Sequence, residues 1–195
     1  NSVNIFRGKE KDVLDRYFQC AKKYSFSTIV RITADCPLID PQIVDKVIEK
    51  FFSGNYDFAT NTLTRTFPIG TDVEVFSFSA LNRAWENTQL PSEREHVTPY
   101  LRKEENFKII NVENDKNISN LRLTVDSIED FELIKQILNN ISINPIHLED
   151  VLELFSRKPE LIEINKHINH NEGFNRLLKE DQEFINKQKN NHKIV

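Results

Sequence analysis

Residues 27–52 read STIVRITADCPLIDPQIVDKVIEKFF, and this stretch decides the fold. Thr28-Ile29-Val30-Arg31-Ile32-Thr33 is a β-branched run without clean alternation, the pattern of a strand buried on both faces of a parallel sheet. Asp40-Pro41 then opens a helix, because Asp caps well and Pro suits the first turn. Ile43, Val44, Val47, Ile48, Phe51 and Phe52 give that helix one apolar face, and Ser53-Gly54-Asn55 stops it. Between strand and helix stands Asp35. A carboxylate at the tip of a buried strand costs free energy unless it is paired, hydrogen-bonded or holding a metal.

The same alternation continues outward. Upstream, residues 3–8 read as the end of a strand closing at Gly8. Residues 9–25 read as a helix with Val13, Leu14, Tyr17, Phe18 and Ala21 on one stripe. Downstream, strands are expected at 56–60, 72–77, 107–113 and 121–126, and helices at 79–88 and 127–141. In the last of these, Ser127 caps and Asp130 takes the box position. Ser92 with Glu95 fits a second capping box, and Pro99 breaks any helix there. Residues 147–165 hold one or two short helices interrupted at Pro159. Strand–helix alternation predicts a three-layer α/β/α sandwich. The pair of strands at 107–126 predicts a mixed sheet. Residues 1–165 form the domain, and 166–195 a polar helical tail.

Composition narrows the function. The chain has 195 residues, 38% hydrophobic and 29% charged, with formal net charge −4. That points to a soluble enzyme-sized domain and away from nucleic acid. No run reaches the ~18 apolar residues that span a bilayer. The two cysteines, Cys20 and Cys36, fit a reducing cytoplasm and show no metal spacing. His147, His167, His170 and His192 show none either. The chain has no Met and begins at Asn1. The expectation is a sequence missing its start.

Two strands end in aspartate, IVRITAD at Asp35 and LRLTVD at Asp126. Ligands of open α/β sheets bind beyond the carboxyl ends of strands. Two carboxylates there suit Mg²⁺, which takes one or two carboxylates, waters and substrate phosphates. The plainer alternative is that both only cap turns and helices. Asp72 and Glu74 fall on one face of a strand by alternation, suited to sugar hydroxyls or to solvent. Glu93, Arg94, Glu95 and His96 crowd one turn. Asp12 and Arg16 are spaced as a helix ion pair. Cys36 reads as a small buried residue.

RGKEKDVLDRYFQCAKKY (7–24), VRITADCPLIDPQIVDKVI (30–48), TRTFPIGTDVEVFSFSAL (64–81), SEREHVTPYLR (92–102), LRLTVDSIEDFELIKQI (121–137) and INKHINHNEGF (164–174) together resemble the spore-coat-polysaccharide type of cytidylyltransferase. This type belongs with the acylneuraminate and 3-deoxy-manno-octulosonate cytidylyltransferases. The resemblance implies a Rossmann-like fold of the nucleotide-diphospho-sugar transferase type. It implies transfer of CMP from CTP to an acidic sugar, with release of pyrophosphate and Mg²⁺ bridging the phosphates. Asp35 matches the metal-binding position and Asp126 the second acidic one. Asp12 and Arg16 match the nucleotide pocket. Arg65, Asp72, Glu74, Arg94, Glu95 and His96 are the sugar-side candidates. A homodimer is expected, with Trp85 or Phe67 at its surface.

One departure stands out. The family opens with a phosphate-cradling loop of the type Gln-Ala-Arg-x-Gly-Ser-x-Arg-Leu-Pro-Gly-Lys, and no such stretch occurs here. The expectation is an N-terminally truncated domain, lacking about a third of an ordinary domain length, and a chain inactive alone. Two other readings fit fewer residues. A glycosyltransferase of the same fold would show Asp-x-Asp after the strand, where this chain has Thr33-Ala34-Asp35. A non-catalytic remnant would bind a nucleotide or partner only weakly.

Overall fold

The computed structural model describes residues 3–103, 105, 107–168 and 172–191. Its elements run α1 (Val13–Tyr24), β1 (Thr28–Arg31), α2 (Pro41–Phe52), β2 (Phe58–Thr60), β3 (Glu74–Ser77), α3 (Phe78–Asn87), α4 (Pro91–His96), β4 (Ile109–Asn111), α5 (Ile128–Asn140), α6 (Leu148–Arg157), a 3₁₀ turn η1 (Pro159–Ile164) and α7 (Glu172–Asn191). They divide into two compact units. One draws on described residues within 1–29, 77–107 and 169–195, the other on 30–76 and 108–168. No helix among the described residues is long and apolar enough to cross a membrane.

The sheet has the order β1-β3-β2-β4; the second unit holds β2, β4, all of β3 but Ser77, and Val30 and Arg31 of β1. β2 runs antiparallel to β3, with Phe58 opposite Phe76 and Thr60 opposite Glu74, and parallel to β4. The sheet is therefore mixed, as expected, but for another reason. Segment 121–126 is not a strand of the ladder. It makes one parallel bridge, Ile69 to Arg122, through bonds of 3.0 and 2.7 Å. Its next N–H, on Val125, goes to the Asp35 carbonyl. With its backbone groups shared between a loop and a turn, no ladder can propagate. Residues 3–8 likewise form no strand.

α2 begins as its sequence dictates. Asp40 accepts from the Gln42 N–H at 2.8 Å and Pro41 fills the first turn. Ile43, Val47 and Phe51 then pack with Ala59, Phe67, Val73, Val75 and Val112. Phe67 is 3% exposed in that core. It is not the surface residue expected of a dimer contact, because its ring completes the layer between α2 and the sheet. A second core joins Leu133, Ile134 and Ile137 of α5 to Val151, Leu154 and Phe155 of α6 and Leu161 of η1. Burying each such side chain contributes about 1.5–3 kcal/mol. Ser127 and Asp130 form the expected capping box on α5.

The first unit packs helices. Asp12 caps α1 by accepting from the Asp15 N–H. Phe18 stacks on Trp85 of α3 at 4.2 Å between centroids. Trp85 donates its indole N–H to Asp15 at 2.8 Å, so this second dimer candidate is engaged within its own unit. The expected box at Ser92 and Glu95 does not form. α4 starts at Pro91, and the Ser92 N–H and hydroxyl both donate to Asp181 of α7. A side chain with a carboxylate of another helix in reach gains a charge-assisted bond that a local cap does not offer. α4 ends at Val97, at φ 70°.

Candidate functional site at the carboxyl edge of the sheet

The carboxyl ends of β1, β2 and β4 lead into residues 32–40, 61–73 and 112–126 of the second unit. After β1 the chain turns at once, with the Cys36 N–H on the Thr33 carbonyl and the Ile39 N–H on the Cys36 carbonyl. Asp35 stands in this turn, half-buried. Its carbonyl accepts from the Val125 N–H at 2.9 Å and from the Thr124 hydroxyl at 3.0 Å. Its carboxylate meets only the Cys36 thiol, at 3.8 Å, and pairs with no cation among the described residues.

Cys36 is buried, 6% exposed. Burial pushes its thiol up to about 11, and the charges of Asp35 and Asp72 act in the same direction. The Thr33 hydroxyl and the Asp72 N–H oppose this without reversing it. At neutral pH Cys36 is a thiol and no nucleophile.

The loop after β2 reaches the same edge. Gly70 adopts φ +93°, and a Cβ there would lie 2.4 Å from the Thr124 nitrogen. Only glycine permits this approach. The loop carries Arg65 and Asp72, which meet edge-on. Nη1 and Nη2 donate to Oδ1 and Oδ2 at 2.6 and 2.7 Å. Burial alone would lower the Arg65 pKa, and Asp72 more than offsets it.

Asp126 ends the 121–126 segment. Its carboxylate is 54% exposed and accepts from Arg122 Nη2 at 2.8 Å through Oδ2. Oδ1 makes no hydrogen bond among the described residues. Arg122 is itself buried against Asp130, at 2.8 Å from both Nε and Nη2. Asp130 also accepts from Asn165 and from the Asp126 and Ser127 N–H groups. Burial tends to raise its pKa, but Arg122, Asn165 and the Asp126 N–H hold it down at about 2.

Asp35, Arg65, Asp72 and Asp126 thus gather on segments that touch one another within one unit. Glu74 does not join them as an open acidic face. It is 3% exposed, and Arg31 donates to it at 2.6 Å. The remaining candidates belong to the first unit. Asp12 does not pair with Arg16. Arg94 takes both of its oxygens, at 2.9 and 2.7 Å, because the fork of Arg94 closes on a carboxylate fixed as a cap. Arg16 and Glu95 pair with nothing among the described residues. His96 Nε2 is buried and likewise without a partner.

His147, read only for metal spacing, donates to or accepts from Asp40 at 3.0 Å. That bond raises its pKa. His170 and His192 lie outside the described residues. Sequence reasoning missed the Arg122–Asp130–Asn165 network. Its one visible signal was the box position of Asp130, which explains a cap but not an arginine.

Among the described residues, no group of three or more His, Cys, Asp and Glu is placed to hold a metal. Mg²⁺ on a phosphate substrate needs only one or two carboxylates. Asp35, with no cationic partner among the described residues, and Asp126, with one oxygen outside the Arg122 bond, fit that limited donor set.

A family model described as cytidylyltransferase matches residues 1–187. An uncharacterized protein of Methanocaldococcus jannaschii is 36% identical over 169 residues, covering 85% of this chain and 68% of that protein. The spore coat polysaccharide biosynthesis protein SpsF of Bacillus subtilis is 29% identical over 161 residues, covering 80% of this chain and 66% of that one. A solved cytidylyltransferase from Leptospira borgpetersenii superposes with a TM-score of 0.81 at 37% identity, covering 86% of this chain and 71% of the other. With the family model matched over residues 1–187 and the fold shared with the solved relative, this chain belongs to the cytidylyltransferases, a family of nucleotidyl-transferring enzymes.

Proposed function

We propose that these residues serve an enzyme that transfers CMP from CTP to an acidic sugar, releasing pyrophosphate, in the synthesis of a surface polysaccharide or glycan. The observation that carries this is the Asp35 carboxylate, without a cationic partner among the described residues, on a residue tied through its carbonyl to the segment ending in Asp126. The name of the Bacillus subtilis relative, a spore coat polysaccharide biosynthesis protein, supports the polysaccharide setting.

In this reaction a sugar hydroxyl oxygen bonds to the α-phosphorus. The bond from that phosphorus to the bridging oxygen breaks, and its electron pair leaves with pyrophosphate. The hydroxyl proton passes to solvent. Such chemistry depends on positioning and charge stabilisation rather than on covalent catalysis. Asp35 and the Oδ1 atom of Asp126 would hold Mg²⁺, which supplies counter-charge to the phosphate oxygens. Arg122 fixes Asp126 by its other oxygen, so the outward one keeps its direction. Arg65, held by Asp72, stands at the same edge as a group for a substrate oxyanion, whereas Glu74 is buried and taken up by Arg31. In the first unit, Asp12 and Arg94 fix the start of α1 and are taken up by that bond.

Mn²⁺ binding in the presence of CTP, followed by electron paramagnetic resonance, tests the metal role. Asp35→Asn should weaken it by at least about tenfold. An unchanged affinity would sink the assignment. The 195 residues contain no phosphate-cradling loop of the family's type, so we expect negligible turnover from them alone. Steady pyrophosphate release from this chain with CTP and a sugar acid would overturn that expectation.

A further inference from the structure

Arg65 is built unlike a structural arginine. Asp72 takes one N–H from each of its terminal nitrogens. A guanidinium has five N–H donors. The Nε–H and the second N–H on each terminal nitrogen reach no acceptor among the described residues. The side chain is 28% exposed and its Nε is not buried, so this donor edge is open to solvent. Arg94, about as exposed, instead donates from each of its three nitrogens, to both Asp12 oxygens and to the Trp85 carbonyl.

The backbone around Arg65 is also fixed. Asn111 accepts from the Leu63 N–H and donates to the Thr64 carbonyl, each at 3.1 Å. The Thr66 hydroxyl accepts from the Asn114 N–H at 2.7 Å. Buried Asn61 closes the far side of the loop by donating to the Thr71 carbonyl and accepting from the Val73 N–H. Gly70 locks the loop onto Leu123 and Thr124. A side chain held on such a frame loses little freedom when it binds. Cys36 joins the fork to Asp35, since its sulfur faces both the Asp35 carboxylate and the Asp72 N–H.

We propose that Arg65 binds an oxyanion of the substrate through its open donor edge, and that Asp72 is the positioning residue that aims it. This rests on the cytidylyltransfer reading only for the identity of the ligand. The shared chemistry is a planar or tetrahedral group offering two oxygens, which matches a guanidinium edge bidentately. A sugar carboxylate and a nucleotide phosphate both supply it. Lysine would not replace Arg65, because a point charge cannot span both oxygens.

The test follows the Arg65 Nε–H resonance in the ¹⁵N-labelled chain, with backbone spectra confirming that each variant is folded. The probes are inorganic pyrophosphate, N-acetylneuraminate and the methyl ester of N-acetylneuraminate. A saturable shift is expected with at least one anion and not with the ester. Arg65→Gln and Arg65→Lys, which lack the Nε–H and are followed instead by the backbone amide resonances of residues 63–72, should each weaken that binding by about tenfold or more, and Asp72→Asn by several-fold with the fold retained. A response to neuraminate assigns the edge to the acceptor, and a response to pyrophosphate assigns it to the nucleotide. Either supports the proposal. Silence toward both anions, or full affinity in Arg65→Gln, overturns it. If the chain binds CTP while Arg65 stays silent, the fork fails and the function stands. If pyrophosphate binds at Arg65 but CTP does not bind at all, the function fails and the fork stands.

Discussion

Arg122 and Arg65 each meet an aspartate edge-on in the same unit, and the two forks have opposite fates. Arg122 is 8% exposed and faces an aspartate of zero exposure, which is held in turn by Asn165 and two backbone N–H groups. Arg65 and Asp72 are each about a third exposed, 28% and 33%, and only one side of the guanidinium is spoken for. The same pair of residue types therefore builds a structural brace in one place and an unfinished binding edge in the other. Burial and the supply of further acceptors make the difference.

Removing one partner of the closed fork should have the largest effect. Asp130→Ala leaves Arg122 buried without its counter-charge and should cost about 3–5 kcal/mol in urea denaturation. A loss below about 1 kcal/mol would mean that this fork is as open as the other. Next comes Gly70→Ala, which sets a Cβ against the Thr124 backbone at a positive φ. We expect a loss of about 2 kcal/mol or more by thermal melting. It should also loosen Arg65 and reduce oxyanion binding. Asp72→Asn should cost about 1 kcal/mol or less, because a partly exposed pair contributes little to stability. A larger loss would move this pair into the structural class.

Acid sharpens the same contrast. Asp130 titrates at about 2 in the folded chain and near 3.9 when unfolded. Its folded pKa is depressed, so its contribution is complete above the unfolded value and is lost as pH falls through about 2. Wild type and Asp130→Asn should therefore converge in stability over that range, as read by melting curves. The smallest effect is expected at His147, where the bond to Asp40 raises the pKa. That contribution is complete below the unfolded value near 6.5 and fades as pH rises through the folded one. His147→Ala should flatten this part of the pH–stability profile and leave the acid limb unchanged.

Much of the fold was legible because local chemistry wrote it. Asp40-Pro41 starts α2 by capping and fixed φ, and Ser127 with Asp130 starts α5 by a reciprocal box. Both signals lie within four residues, and tertiary contacts agree with them. Ser92 with Glu95 carried a similar signal and failed, because Asp181, remote in sequence, offered Ser92 a better acceptor. Segment 121–126 looked like a strand by composition, yet its N–H groups were claimed by Ile69 and Asp35. At the site, the strand-tip position of Asp35 was readable, since β-branched runs end visibly. The partners of the arginines were not. Asp12 and Arg16 had helix spacing, but Asp12 closed on Arg94.

By itself the sequence determined the order of the main helices and of strands β1 to β4, the caps of α2 and α5, the carboxylate beyond β1 and the family. Periodicity, capping and turn chemistry act over a few neighbouring residues, so they survive in a linear text. Only the tertiary structure decided which charges meet, which are buried and which stay open. Those outcomes depend on distance in space and on how many acceptors compete for each donor. Arg65 and Arg122 are alike as letters, and the acceptors packed around them made one a brace and left the other with an edge to bind.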